Sequence, residues 1–121
     1  MTKLSFIGDS YAEIAHDETI TLRPWYTGSL RYKIRQSFYE NGYHLETFNG
    51  GFSGRTLSAA GGTPLTDANI DTALSDNPHI VWFSAGVNDV GEETSISGIT
   101  TRITEIFNNI LAHYSVRFLV V

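Results

Sequence analysis

Short apolar runs alternate with amphipathic segments along the chain, and this alternation predicts a mixed α/β fold. The runs have the length of β-strands and are bounded by turn residues. They predict four strands, over residues 4–8, 43–48, 79–85 and 116–121. The third run, HIVWFSA, is the most apolar and should be central, whereas the second mixes apolar with polar side chains and should lie at an edge.

Three segments between these strands repeat apolar residues every three or four positions, as amphipathic helices do. They predict helices over residues 29–41 and 67–75 and after Thr94 or Ser95, either of which can cap the third helix. Asn41-Gly42 supplies a stop signal for the first helix. The residues that should face inward are Leu30, Ile34 and Phe38, then Ile70, Ala73 and Leu74, then Ile99, Ile103, Ile106, Phe107, Ile110 and Leu111.

Strands that alternate with helices are typical of a parallel sheet with helices on both faces. We expect a single three-layer, flavodoxin-like domain over residues 1–121, with strand order 2-1-3-4 and right-handed crossovers. The chain ends in the strand VRFLVV with no turn after it, so we expect a C-terminal segment with a further strand or helix to be missing. Without that segment, the exposed strand edge predicts self-association.

Charge and composition narrow the class of partner. The chain has 8 Lys and Arg residues against 13 Asp and Glu residues, a net charge of -5, which argues against nucleic acid or an anionic membrane. It has no cysteine, which excludes disulfides and thiolate metal sites. No apolar run has membrane-spanning length, and the first run is too short for a signal peptide. We therefore expect a soluble protein, cytoplasmic by default.

Glycine-rich and polar residues follow three of the predicted strands at the point where each strand ends. GDS at 8–10 follows the first strand, a Gly- and Ser-rich loop at 49–62 follows the second, and GVND at 86–89 follows the third. Ligands of open parallel sheets bind at the carboxyl ends of the strands, beside the switch point in strand order. The topology therefore brings these three segments to one edge of the sheet.

That edge carries groups that acyl transfer needs. The Ser10 hydroxyl can project from the end of a strand as a nucleophile, although the G-x-S-x-G pattern is absent. The backbone N–H groups of Ser10 and Gly54 and the amide of Asn88 are candidate donors to an oxyanion. The candidate substrate-binding residues are Asp9, Arg55 and Asp89. In the alternative interpretation, these motifs are ordinary turns and helix caps.

Three sequence blocks resemble, in this order, the first three blocks of the SGNH or GDSL-type serine hydrolases. They are FIGDS at 6–10, GFSGRT at 51–56 and AGVND at 85–89. The resemblance implies that Ser10 is the nucleophile and that Gly54 and Asn88 complete an oxyanion hole with the Ser10 amide. It also implies an esterase that needs no metal or cofactor. The substrate that we favour is a small acyl ester, such as an acetyl group on a glycan.

The fourth block of that family, Asp-x-x-His near the C-terminus, has no match in this chain. A serine needs a base, but the topology puts His44, His79 and His113 at the opposite edge of the sheet. Only His16, with Asp17 beside it, falls at the edge of Ser10, and solvated loop polarity is its simpler role. Two hypotheses follow: a serine esterase whose Asp–His pair lies outside this stretch, and a non-catalytic binding module or inactive fragment.

Overall fold

The computed structural model describes residues 1–12, 30–58, 63–91 and 95–121 of the chain. Four strands are present there, β1 Thr2–Gly8, β2 Leu45–Gly51, β3 Ile80–Ser84 and β4 Phe118–Val120. The helices in the same ranges are α1 Leu30–Glu40, α2 Asp67–Leu74, α3 Val87–Gly91 and α4 Ile96–Ala112. In this part of the chain, no helix combines the length and hydrophobicity that a membrane span requires.

The four strands form one parallel sheet in the order β2-β1-β3-β4, which confirms the predicted fold class and strand order. β3 lies inside the sheet, as its apolar sequence predicts, and β2 lies at an edge. Gly8, at the end of β1, pairs with Gly51 at the end of β2 and with Ser84 at the end of β3. The residues that follow these three strands therefore start from the edge of the sheet that is formed by the carboxyl ends of its strands. Ser10 lies at this edge.

Helices pack on both faces because successive side chains of a strand point to opposite sides. On one side, Ile7, Val81 and Phe83 pack against the buried residues of α2 and α4, which are Ile70, Ala73, Leu74, Ile106 and Ile110. On the other side, Ile34 and Phe38 of α1 pack against Leu4, Phe6 and Leu45. Each fully buried Leu, Ile or Phe contributes about 1.5–3 kcal/mol relative to an exposed one.

Two helices begin at residues whose side chains cap them, and the cap of α4 is one that the sequence predicts. Ser95 precedes α4, and its hydroxyl accepts a hydrogen bond from the backbone N–H of Gly98. Thr66 precedes α2 and forms a capping box with Asn69, in which each side chain accepts the other residue's backbone N–H. Such a cap stabilises a helix by about 1 kcal/mol. Thr94, the other predicted cap of α4, lies outside the described residues.

Some details differ from the prediction. Leu111, expected to face inward, is 56% exposed because its neighbour Ile110 occupies the core position and one residue of helix turns the side chain away by about 100°. α3 was not predicted, because GVND also has the composition of a turn. β4 begins at Phe118 and not at Val116, whose backbone N–H donates to the carbonyl of His113 in the preceding turn.

β4 leaves one side of the sheet open within the described part of the chain. It pairs with β3 alone among the described strands. Phe118, Val120 and Val121 beside this edge are all exposed. Unpaired strand edges with apolar side chains favour association with another strand. The self-association and the additional C-terminal segment expected from the sequence both stay predictions.

Candidate active site

β1 ends at Gly8, whose backbone lies tightly against β3. Its φ angle is +148°, and a Cβ atom on this residue would lie 1.8 Å from the carbonyl oxygen of Ser84. The backbone N–H of Asp9 donates to the same carbonyl at 3.0 Å, and the N–H of Phe52 donates to the Gly8 carbonyl at 3.1 Å. The conformation and the close approach both require glycine here. This residue fixes the direction in which the chain leaves β1 toward Ser10.

Asp9 caps the helical turn over residues 10–12. Its Oδ1 atom accepts a hydrogen bond from the backbone N–H of Tyr11 at 2.9 Å. The residue is 1% exposed, so its carboxylate has little access to solvent. Its hydrogen bond is to the protein backbone. This geometry gives Asp9 the role of a helix cap, and the substrate contact expected from the sequence stays a prediction. Ser10, at the first position of the turn, is half-buried.

Burial also changes the acidity of Asp9. Desolvation raises the pKa of its carboxyl group, hydrogen bonds from the N–H groups of Tyr11 and Asp9 itself oppose the rise, and the charge of Asp89 adds to it. Oδ2 of Asp9 is buried and has no hydrogen-bond partner among the described residues. The ionised carboxylate is therefore less favourable in the folded protein than in the unfolded chain.

We expect the Asp9→Asn variant to gain stability relative to the parent protein as the pH rises. Because the folded-state pKa is raised, the contribution of Asp9 is fully present below its unfolded pKa of about 4 and is lost as the pH rises through the folded pKa. Asparagine keeps an oxygen acceptor for the Tyr11 N–H and does not ionise. Urea unfolding of both proteins at several pH values between about 4 and 7 measures the effect. A difference in unfolding free energy that stays constant with pH would contradict it.

The loop after β2 is held by residues that follow β3. Asp89 is 0% exposed, and its carboxylate accepts hydrogen bonds from the backbone N–H groups of Leu57 and Ser58 at 2.8–3.0 Å. The side-chain amide of Asn88 donates to the carbonyl of Arg55 at 2.8 Å. Asn88 and Asp89 thus hold residues 55–58 beside the end of β3. Asp89 contacts backbone here, and its predicted contact with a substrate stays a prediction.

We expect Asp89→Ala to lower the free energy of unfolding by about 3 kcal/mol, because two backbone donors lose a charged and fully buried acceptor. Urea unfolding measures this loss. Asp71→Ala is a matched control, since Asp71 is an exposed carboxylate on α2 and its removal should change stability by less than about 0.5 kcal/mol. Equal losses in the two variants would show that Asp89 does not hold the loop.

The tip of the loop contains Gly54 and Arg55. Gly54 is exposed with φ +82°, and open space surrounds the position of its missing Cβ, so its backbone conformation alone requires glycine. The guanidinium of Arg55 donates to the carbonyl of Gly50 at 2.6 Å and lies 5.4 Å from the ring centre of Phe52. These contacts stiffen the loop. Binding of an anionic substrate group by Arg55 stays a prediction.

The histidines within the described residues lie at the far edge of the sheet, where the topology places them. His44 precedes β2 directly, and His79 precedes β3, with its Nδ1 atom accepting the backbone N–H of Lys3 at 3.1 Å. His113 follows the end of α4. His16 lies outside the described residues. The described chain therefore brings no imidazole to the edge of Ser10, and it contains no cluster of three His, Asp or Glu residues that could hold a metal ion.

Comparisons with known proteins bear on the fold. No family model matches the chain, and no curated protein matches it. Among solved structures, AlinE4, an SGNH-hydrolase family esterase, matches at 18% identity over 97% of this chain and 57% of that chain, with a TM-score of 0.66. The psychrotrophic esterase EstA from Pseudoalteromonas sp. matches at 15% identity over 98% and 58%, with a TM-score of 0.66. The acetyl xylan esterase AlAXEase matches at 20% identity over 96% and 56%, with a TM-score of 0.60.

At sequence identities of 15–20%, the similarity to these structures is a similarity of fold. The parallel sheet of this chain and its helices match the α/β fold of SGNH-hydrolase family esterases. The chain spans 56–58% of the length of the three solved structures. The shared architecture places strand ends in corresponding positions, and the chemistry at those ends has to be argued from the residues of this chain.

Proposed function

We propose that this chain carries the nucleophile and the oxyanion-binding groups of a serine esterase that acts on small acyl esters. The observation that carries the proposal is the pairing of Gly8 with Gly51 and Ser84. Because of it, Ser10, Gly54 and Asn88 each follow the end of a paired strand by two to four residues at one edge of the sheet. The esterases with the same fold support the reaction class.

The proposed reaction proceeds in two steps. The Ser10 oxygen attacks the acyl carbonyl carbon and loses its proton to a base, and the ester C–O bond then breaks as the alcohol takes up that proton. Water next attacks the acyl-serine, which releases the carboxylic acid and restores Ser10. The described residues at this edge include no imidazole, so we assign the base to a histidine outside them.

The oxyanion of each tetrahedral intermediate needs donors that are already in place. We assign this role to the backbone N–H groups of Ser10 and Gly54 and to the side-chain amide of Asn88. One N–H of that amide donates to the Arg55 carbonyl, which orients the group and leaves its second N–H for the substrate. A donor of this kind is worth about 3 kcal/mol of transition-state stabilisation.

The remaining site residues divide into two groups. Asp9 and Asp89 act through the backbone that they hold, because both are buried and bonded to N–H groups. Arg55 is next to Gly54. Of the three predicted substrate-binding residues, it is the one that is not fully buried. Acetyl groups on a glycan are the substrate we favour, and the acetyl xylan esterase among the structures of similar fold supports this choice.

A non-catalytic binding module is the second candidate, and the position of the described histidines favours it. A fluorophosphonate probe separates the two functions, because it bonds to a serine only where a base activates the hydroxyl. Mass spectrometry should locate the adduct on Ser10, and p-nitrophenyl acetate should be hydrolysed. The test uses the full-length protein, because the base is assigned to a histidine outside the described residues. If that protein folds and gives neither adduct nor hydrolysis, the esterase is refuted and the binding module remains.

A further inference from the structure

A groove of about 350 Å³ lies between α1 and the start of β2. Its walls come from four residues of α1 and from the connection to β2, and they include Tyr32, Arg35, Gln36, Tyr39, Tyr43 and His44. We call it the tyrosine groove. It adjoins Leu45, the first of the seven residues of β2, so it lies about 20 Å from the edge that carries Ser10. The tyrosine groove is therefore separate from the candidate active site.

The spacing of the four helical residues sets one side of the tyrosine groove. They are Tyr32, Arg35, Gln36 and Tyr39, at positions i, i+3, i+4 and i+7, which share one face of a helix. The core-packing residues of the same helix are Ile34 and Phe38. The face with the two tyrosines is thus distinct from the face that packs on the sheet, and it contributes little to the core.

The other side of the tyrosine groove is held by the end of α1. The backbone N–H of Tyr43 donates to the carbonyl of Phe38 at 2.9 Å, and their rings pack edge to face with centres 6.4 Å apart. Although its position is fixed, Tyr43 is 65% exposed, and Tyr39 is 80% exposed. Large aromatic rings that are exposed together mark binding surfaces. Tyr43 is also held in place, so little conformational entropy is lost when a ligand covers its ring.

We propose that the tyrosine groove binds a segment of a glycan chain. A pyranose ring has flat C–H faces and a rim of hydroxyl groups, and a tyrosine ring offers a flat apolar face with a polar tip. Gln36, Arg35 and His44 add side chains that can hydrogen-bond sugar hydroxyls. The volume falls in the range of small-ligand sites.

Other ligand classes match these walls less well. Among the described residues of the lining, Leu45 is the one aliphatic side chain, so an acyl chain or an apolar helix would find few partners there. The net charge of -5 opposes nucleic acid. The inference goes beyond the proposed esterase, because it concerns binding at a second site and does not need Ser10. In an esterase that acts on glycan esters, such a site would hold the polymer.

Binding to soluble polysaccharides tests the inference without any turnover. We would titrate the Ser10→Ala protein with xylan, glucomannan and pectin in separate calorimetric experiments. Each titration would be repeated with double variants that carry Ser10→Ala together with Tyr39→Ala or Tyr43→Ala. Tyr114→Ala is the matched control, since Tyr114 is 72% exposed and lies outside the groove. We expect at least one polysaccharide to bind, and each groove substitution to weaken its affinity about five- to tenfold.

The conservative change Tyr39→Phe should keep the affinity within about twofold, because the ring face remains. Tyr39 is mostly exposed, so Tyr39→Ala should fold normally even if Tyr43→Ala disturbs the end of α1. The inference is overturned if none of the three polysaccharides binds, or if Tyr114→Ala weakens binding as much as the groove variants do. Neither result affects the fluorophosphonate test, so the two proposals fail separately.

Discussion

Ser10→Ala should lower the hydrolysis of p-nitrophenyl acetate by about a thousandfold or more. The substitution removes the attacking oxygen and leaves only the oxyanion donors, so water has to attack the ester without a covalent intermediate. Initial rates at saturating and low substrate concentrations give kcat and kcat/KM, both of which should fall. The change is small in volume at a half-buried position, so the unfolding free energy should change by less than about 1 kcal/mol.

Ser37→Ala provides the control for this comparison. Ser37 is exposed on α1, on an element that does not contribute to the Ser10 edge, and its loss should leave the rate unchanged. Hydrolysis that persists at the parent rate after Ser10→Ala would assign the activity to another group. Loss of both hydrolysis and labelling in Ser10→Ala, with both kept in Ser37→Ala, would identify Ser10 as the nucleophile.

Local patterns were sufficient to predict most of the architecture. The HIVWFSA run identified an interior strand because a strand covered on both faces needs apolar side chains throughout. Helix boundaries near Thr66 and Ser95 were predictable because capping depends on residues within one turn. The strand order followed from the alternation of strands and helices together with the polar character of β2.

Contacts between distant segments were not predictable in this way. The carboxylate of Asp89 meets the N–H groups of Leu57 and Ser58, which lie 31–32 positions earlier in the chain. The partners are backbone groups, which every residue carries, so no pattern of side chains in the sequence predicts these contacts. The sequence therefore indicated a carboxylate at the strand ends in Asp89 and did not predict that it is buried and bonded to backbone. The groove face of α1 was missed for a different reason, since hydrophobic periodicity records only the side that packs on the core.

Gly8→Ala should cause the largest loss of stability among these substitutions, about 4 kcal/mol. A Cβ atom at this position would lie 1.8 Å from the Ser84 carbonyl oxygen, and that oxygen belongs to the backbone of a central strand. Relief of the clash requires β1 and β3 to separate where the N–H of Asp9 also binds the same carbonyl. The φ angle of +148° adds backbone strain for any residue with a side chain.

Urea unfolding separates the steric cost from the conformational one when Gly42→Ala is measured alongside. Gly42 has φ +80°, but nothing lies within 4 Å of its missing Cβ, so alanine there should cost only about 1 kcal/mol from strain. The excess loss in Gly8→Ala then reports the close approach of the two strands. If the two glycines proved equally tolerant of alanine, the end of β1 would not be pressed against β3. The position of Ser10 at the shared edge would then lose its structural basis.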